Sequence, residues 1–175
     1  MPKYRKMLAE WEAPYIQALV TLVETQSKET LSNWTLSYAE RTLLPIWRKH
    51  HPEDTRPEEA IAAARAWLAG EIKLPQAKPA ILACHGAARE AGNHPAAQAA
   101  ARAIGQCAST IHAATHCMGL ALYGALAIAY DVRGIDAAWS ELEEYAAAEC
   151  GRMQEALRVV AIADEVKLAK LNWKC

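Results

Sequence analysis

His51-Pro-Glu-Asp-Thr-Arg-Pro-Glu-Glu-Ala-Ile-Ala-Ala-Ala-Arg-Ala-Trp-Leu-Ala-Gly-Glu71 holds the start, stripe and stop of one complete helix. Thr55 and Glu58 make a Thr-x-x-Glu capping box, in which hydroxyl and carboxylate satisfy backbone N–H groups of the first turn. Pro57 sits where a missing N–H does no harm, and Glu58 and Glu59 lie beside the positive helix end. Ala60, Ile61, Ala64, Trp67 and Leu68 follow at helical spacing and predict a buried stripe. Gly70 supplies the left-handed residue that stops the helix. A helix this rich in alanine has to pack closely against its neighbours, because alanine brings little bulk of its own.

The same pattern extends in both directions. Tyr15, Ile16, Leu19, Val20, Leu22 and Val23 predict a first helix over residues 14–26, opened by Pro14. A second is expected over 32–50 with Ser32 as its cap, kinked or divided near Leu44 by Pro45. Residues 75–91 read as a fourth helix, and His94-Pro95 opens a fifth with Asn93 or His94 as cap. That fifth helix shows Ala97, Ala100, Ile104, Cys107, Ala108 and Ile111 on its main face, and either runs on to Tyr130 or breaks near 116–119. Asp136 is the expected cap of a last long helix striped by Trp139, Leu142, Tyr145, Ala146, Met153, Leu157, Val160, Leu168 and Leu171, with possible breaks at Gly151 or near Asp164 and Lys167. No segment alternates with the period of a strand. The expectation is an all-α fold: a single compact bundle of six to eight alanine-rich helices, with residues 1–175 forming one domain.

Composition agrees. Hydrophobic residues are 53% of the chain and charged residues 22%, Phe is absent, and six Trp and six Tyr supply the bulk. A net charge of −1 offers no basic field for a phosphate backbone, so nucleic-acid binding is disfavoured. The five cysteines (84, 107, 117, 150 and 175) form no CxxC pair. Four lie in apolar runs and read as buried, reduced thiols of a cytoplasmic protein, while Cys175 is expected to be exposed. Residues 1–12 lack the apolar core of a signal peptide. The uncharged run 117–130 has the length of a buried core helix rather than a membrane span, so it reads as a central helix.

Three groups of residues could carry chemistry. His112 and His116 stand four apart, which on one helix would bring two imidazoles onto one face. Such a pair can hold a metal if His85, Cys84, Cys107 or Cys117 joins it, although the Glu that follows the first His in zinc proteases is here Ala113. With Ser109 and, if the helix continues, Tyr123 and Tyr130 along the same face, the simpler reading is a polar seam between helices or a ligand site. Glu141, Glu143, Glu144 and Glu149 have no matching acidic segment to share a magnesium ion. They read as a solvated face, except that Glu149 lies near the stripe and should meet an Arg or a hydroxyl. Asp54, Arg56 and Arg65 flank the third helix, either as structural ion pairs or as contacts to a partner. There is no Gly-rich phosphate loop, nucleophile elbow or catalytic triad order, so neither a catalytic residue nor a cofactor is indicated.

The segments Glu40-Arg-Thr-Leu-Leu-Pro-Ile-Trp47 and Pro52-Glu-Asp-Thr-Arg-Pro57, continuing through Ala63-Ala-Arg-Ala-Trp67 to Gly70-Glu71, resemble a bacterial family of immunity proteins of polymorphic-toxin systems, the immunity-protein-five-like group. The likeness extends through Ala83-Cys-His85, Ala99-Ala-Ala-Arg102, Gly105 and the His112/His116 segment, and covers roughly residues 34–130. The family often has His after the glycine equivalent to Gly105, where this chain has Gln106, which weakens a shared three-histidine metal site. The resemblance implies a small all-helical, non-enzymatic protein that neutralises a cognate toxin by binding it. A metal-dependent enzyme using His85, His112 and His116, or a helical homo-oligomeric scaffold, are the alternatives.

Overall fold

The computed structural model describes residues 4–174, so Cys175 lies outside the described residues. Eight α-helices occur among them: α1 (Pro14–Val23), α2 (Lys28–Thr42), α3 (Leu44–His50), α4 (Arg56–Leu68), α5 (Leu74–Glu90), α6 (Pro95–Ser109), α7 (Ala125–Arg133) and α8 (Trp139–Val160). A 3-10 turn (Ala114–Met118) and a π-type turn (Leu120–Gly124) lie between α6 and α7. No strand is present among the described residues, and the all-α expectation holds. No helix among them is long and apolar enough to cross a membrane.

α6 is the centre. It packs against α2, α3, α4, α5, α7 and both irregular turns. Eleven of its fifteen residues are buried: seven alanines and Ile104, Gly105, Cys107 and Ser109 among them. Small side chains on all sides let several helices come close to one axis, which larger residues would hold apart. The expected central run 117–130 is indeed largely buried, but it is not one helix. Its two turns and α7 wrap the end of α6 instead.

The break has a local cause. Ser109 Oγ donates back to the Gly105 carbonyl at 2.7 Å and Thr110 Oγ1 to that of Gln106 at 3.3 Å, a pattern that bends helices. Ala113 then adopts an extended conformation and ends the run. His112 and His116 therefore do not sit one turn apart on a helix face. His112 is exposed in the turn that follows α6, while His116 lies in the 3-10 turn.

Other helix ends also differ from the sequence reading. Ser32 does not cap α2 but is buried within it, its hydroxyl unpartnered. Ser27 is the cap, accepting from the Thr30 N–H at 3.1 Å, and Glu165 of the C-terminal segment fixes that start through Ser27 N–H (2.6 Å) and the Thr30 hydroxyl (2.9 Å). Pro45 does divide the helix, as expected, leaving α3 as a separate short piece. At α4 the Thr55 hydroxyl makes no cap; its backbone is already helical, and it donates to Glu59 at 2.6 Å. The Asp54 carboxylate accepts from the Arg56 N–H instead, at 3.1 Å. Asp136 does not cap the last helix, which begins after Ala138 with no side-chain cap.

α8 runs unbroken through Gly151 and stops at Val160. Leu168 and Leu171 are therefore not part of a helical stripe. Residues 161–174 instead return across the bundle without regular structure, with Ala169 N–H bonded to the Gln26 carbonyl (2.9 Å) and Trp173 Nε1 to Glu24 (3.0 Å). Gly70 stops α4 with φ +75°, the left-handed value that glycine adopts without strain. Trp67 and Leu68 are only partly buried, so the closely packed part of α4 is Pro57, Ala60, Ile61 and Ala64.

Overpacking the centre is the clearest stability test. Ala100→Leu adds three carbons where no side-chain surface reaches solvent, and should destabilise the fold by about 1–3 kcal/mol in urea denaturation. The same change at exposed Ala62 should be close to neutral.

Candidate functional site

The C-terminal half of α6 sets the position of the histidines. Gly105 has no side chain because the His85 ring of α5 occupies that space: a Cβ there would lie 2.6 Å from the imidazole. One residue on, Gln106 projects toward the 3-10 turn, where its Oε1 accepts from His116 Nδ1 at 2.7 Å. Its stem fills the space beside Gly119, so close that a Cβ at 119 would lie 2.2 Å from Gln106 Cβ. Two glycines thus admit two polar side chains, and Gln106 becomes the partner that orients His116.

His85, Ser109, His112 and His116 line a single cavity of about 370 Å³. Its other walls are Leu74, Pro75, Lys78, Ile81 and Leu82 of α5. Four of the five residues singled out from the sequence are thereby brought together, by a turn rather than by a helix face. Tyr123 is not among them. It lies on the far side of His116, in a groove of about 610 Å³ shared with Gln106, Trp11 and Trp173. Tyr130 is elsewhere again, its hydroxyl bonded to the Arg5 carbonyl.

Burial lowers the affinity of His85 for a proton, and His116, Arg89 and Arg102 add to the effect. Burial and His112 do the same to His116. Both rings are thus biased toward the neutral form. The cavity does not assemble a metal site: among the described residues no three His, Cys, Asp or Glu side chains converge closely enough to hold an ion. Cys84 points away from the cavity, its thiol donating to the Ala101 carbonyl at 3.3 Å, and burial pushes its pKa up to about 12. Cys107, Cys117 and Cys150 are also buried, with their thiols pushed up by the same cause.

Asp54, Arg56 and Arg65 are engaged within the chain. The Arg56 guanidinium grips the Asp54 carboxylate with two bonds (Nε–Oδ1 2.9 Å, Nη2–Oδ2 2.7 Å) and reaches Glu90 at 2.7 Å, joining the start of α4 to the end of α5. Arg56 in turn holds the Asp54 carboxyl below the usual carboxylate range. Arg65 pairs with Glu40 of α2 at 2.6 Å. Glu149, expected to meet an Arg or a hydroxyl, meets both: the Tyr38 hydroxyl at 2.5 Å and Arg152 Nε at 2.6 Å. This pair sits in the floor of a cleft of about 640 Å³ between α2, α3, α7 and α8.

One cluster had no counterpart in the sequence reading. His50 and His51 at the end of α3 meet His94 at the start of α6, with ring centroids 5.0 and 5.3 Å apart, and His51 stacks on Trp47 at 4.3 Å. Burial, then His94, lowers the proton affinity of both His50 and His51. Only the adjacent pair His50-His51 is a local signal; His94 arrives through the α3–α6 contact.

Two measurements follow from this geometry. Gly119→Ala should destabilise by about 1–3 kcal/mol, because the displaced group is a stem carbon near the backbone, and should cost more than Gly105→Ala, where a ring can swing out. Acid should weaken the fold early. His50, His51, His85 and His116 all bind protons less readily folded than unfolded, so stability rises with pH between their folded values and about 6.5, and levels off above. Thermal unfolding should show Tm falling as pH drops from about 7 toward about 5.5, ahead of carboxylate titration; a flat Tm there would contradict the assignment.

No curated protein and no solved structure matches the chain. A family model does, the one described as Imm-5 like putative immunity protein, over residues 21–156. The match takes in the last turn of α1, all of α2 to α7 and most of α8, well beyond residues 34–130. Spanning more than three quarters of its length, the match shows that this chain belongs to the Imm-5-like immunity protein family.

Proposed function

We propose that this protein is an immunity protein that binds a cognate bacterial toxin and blocks it without catalysing a reaction. The observation that carries the reading is the family match over residues 21–156. The state of the polar groups supports it. Asp54, Arg56, Arg65 and Glu149, the charged residues that first draw attention, are paired within the fold, Arg56 tying α4 to α5, Arg65 tying α4 to α2 and Glu149 tying α8 to Tyr38 of α2. The described cysteines are buried thiols of raised pKa, poorly suited to nucleophilic attack. Occlusion by a rigid helical body requires a preformed surface and no reacting group.

The test is expression of each product of the adjacent genes in a sensitive host, with and without this protein. One toxic product should be neutralised when the protein is present, and the two should copurify as a complex of fixed stoichiometry by light scattering. Loss of viability from every toxic neighbour despite full expression of this protein would overturn the reading. Glu149→Gln and Arg65→Gln, which alter internal ties, should leave protection intact wherever the variant remains folded.

A further inference from the structure

We propose that the cavity formed by α5 and the turn after α6 is a binding site for small organic carboxylates with an apolar body, the carboxylate meeting His85 and His116 and the body lying along Leu74, Pro75, Ile81 and Leu82. This goes beyond toxin binding and does not depend on it. At about 370 Å³ the cavity is in the range of small-molecule sites, which join apolar walls to a few convergent polar groups.

Charge selects the ligand class. No Asp or Glu lines the cavity, whereas Lys78 and three imidazoles do. The groups that bear on His85 from its own helix (Arg89), from α6 (Arg102) and from the 3-10 turn (His116) are all bases, and His112 bears on His116 in the same sense. An amine entering this field is repelled; an anion relieves the repulsion.

Hydrogen bonding narrows the choice further. Ser109 already donates to the Gly105 carbonyl, so it has no proton to offer. His85 is half-buried, held over Gly105, and has no hydrogen-bond partner among the described residues. His116 donates through Nδ1 to Gln106, which leaves Nε2 as its remaining polar atom. A neutral His85 offers one N–H, and a His116 that takes up a proton on binding offers another. These two half-buried donors, with Lys78 and His112 also on the wall, suit a carboxylate, which only accepts. A phosphate dianion would leave more oxygens unmatched against an apolar wall. Leu82, 56% exposed, forms an apolar edge at the opening.

The probe is hexanoate, compared with hexanamide and hexylamine, which share its stem but not its charge. Calorimetry and histidine Cε1 shifts are followed on the full chain at about pH 6 and about pH 8. Hexanoate should bind with the His85 and His116 resonances moving, about tenfold or more tighter at the lower pH, and about tenfold or more tighter there than hexanamide. The sign follows from proton uptake: the anion favours the charged imidazoles that burial disfavours. His85→Phe should keep a ring over Gly105 and lose the preference for hexanoate over hexanamide. Leu82→Glu alters a side chain that is already exposed, and should weaken hexanoate about tenfold while improving hexylamine. Equal binding of hexanoate and hexanamide, affinity unchanged with pH, or unmoved His85 and His116 resonances at about 20 mM hexanoate would each overturn the proposal.

Discussion

Close approach to α6 is the constraint on which the rest depends. A helix that touches five other helices and two turns cannot carry large side chains on every side, and α6 answers with alanine at seven of its eleven buried positions. The bulk is moved to the partners, where Trp34, Leu36, Leu43 and Trp47 fill the space between axes. Alanine loses no rotamer freedom when buried, so this centre forms at low entropic expense. It also has little tolerance, because each added methylene pushes against a neighbouring helix rather than into a void.

The histidine cavity is a by-product of the same packing. Where α6 reaches Gly105 and Gln106, it is thin enough for His85 to lie across it from one side and for the turn carrying His116 and Gly119 to close from the other. Ser109 and Thr110 then bend the chain away. The site and the core are therefore not separable: Gly105 within α6 makes room for His85, and Gly119 in the following turn makes room for Gln106 of α6. The half-buried His85 and His116 placed there, and His50 and His51 at the other end of α6, carry proton affinities lowered by burial.

Ties between distant segments complete the structure. Arg56 links α4 to α5, Arg65 links α4 to α2, and Glu149 joins α8 to Tyr38 of α2. Residues 161–174 cross the surface and fix the start of α2 through Glu165. Such partly exposed pairs contribute less to overall stability than the core does, but they set the register in which helices dock. They also explain why the conspicuous charges of the sequence are poor indicators of a catalytic site.

The sequence by itself determined the helical class, the helix over residues 56–68 with its glycine stop, the division at Pro45, the buried cysteines and the family to which the chain belongs. These follow from periodicity, proline and glycine geometry and residue identity, which act over a few neighbours. It also located His85, Ser109, His112 and His116, but for a different reason from the one that unites them: no helix carries the pair at 112 and 116. Only tertiary structure decided that Ser27 rather than Ser32 caps α2, that Asp54 replaces Thr55 at α4, that the last fourteen described residues form a strap, and that His94 meets His50 and His51. Each of these depends on a partner that arrives from far along the chain, and a hydroxyl or an imidazole cannot announce which distant group it will find. Alanine at α6 declared a close-packed helix; which neighbours closed on it, and what they enclosed, was settled by the packing.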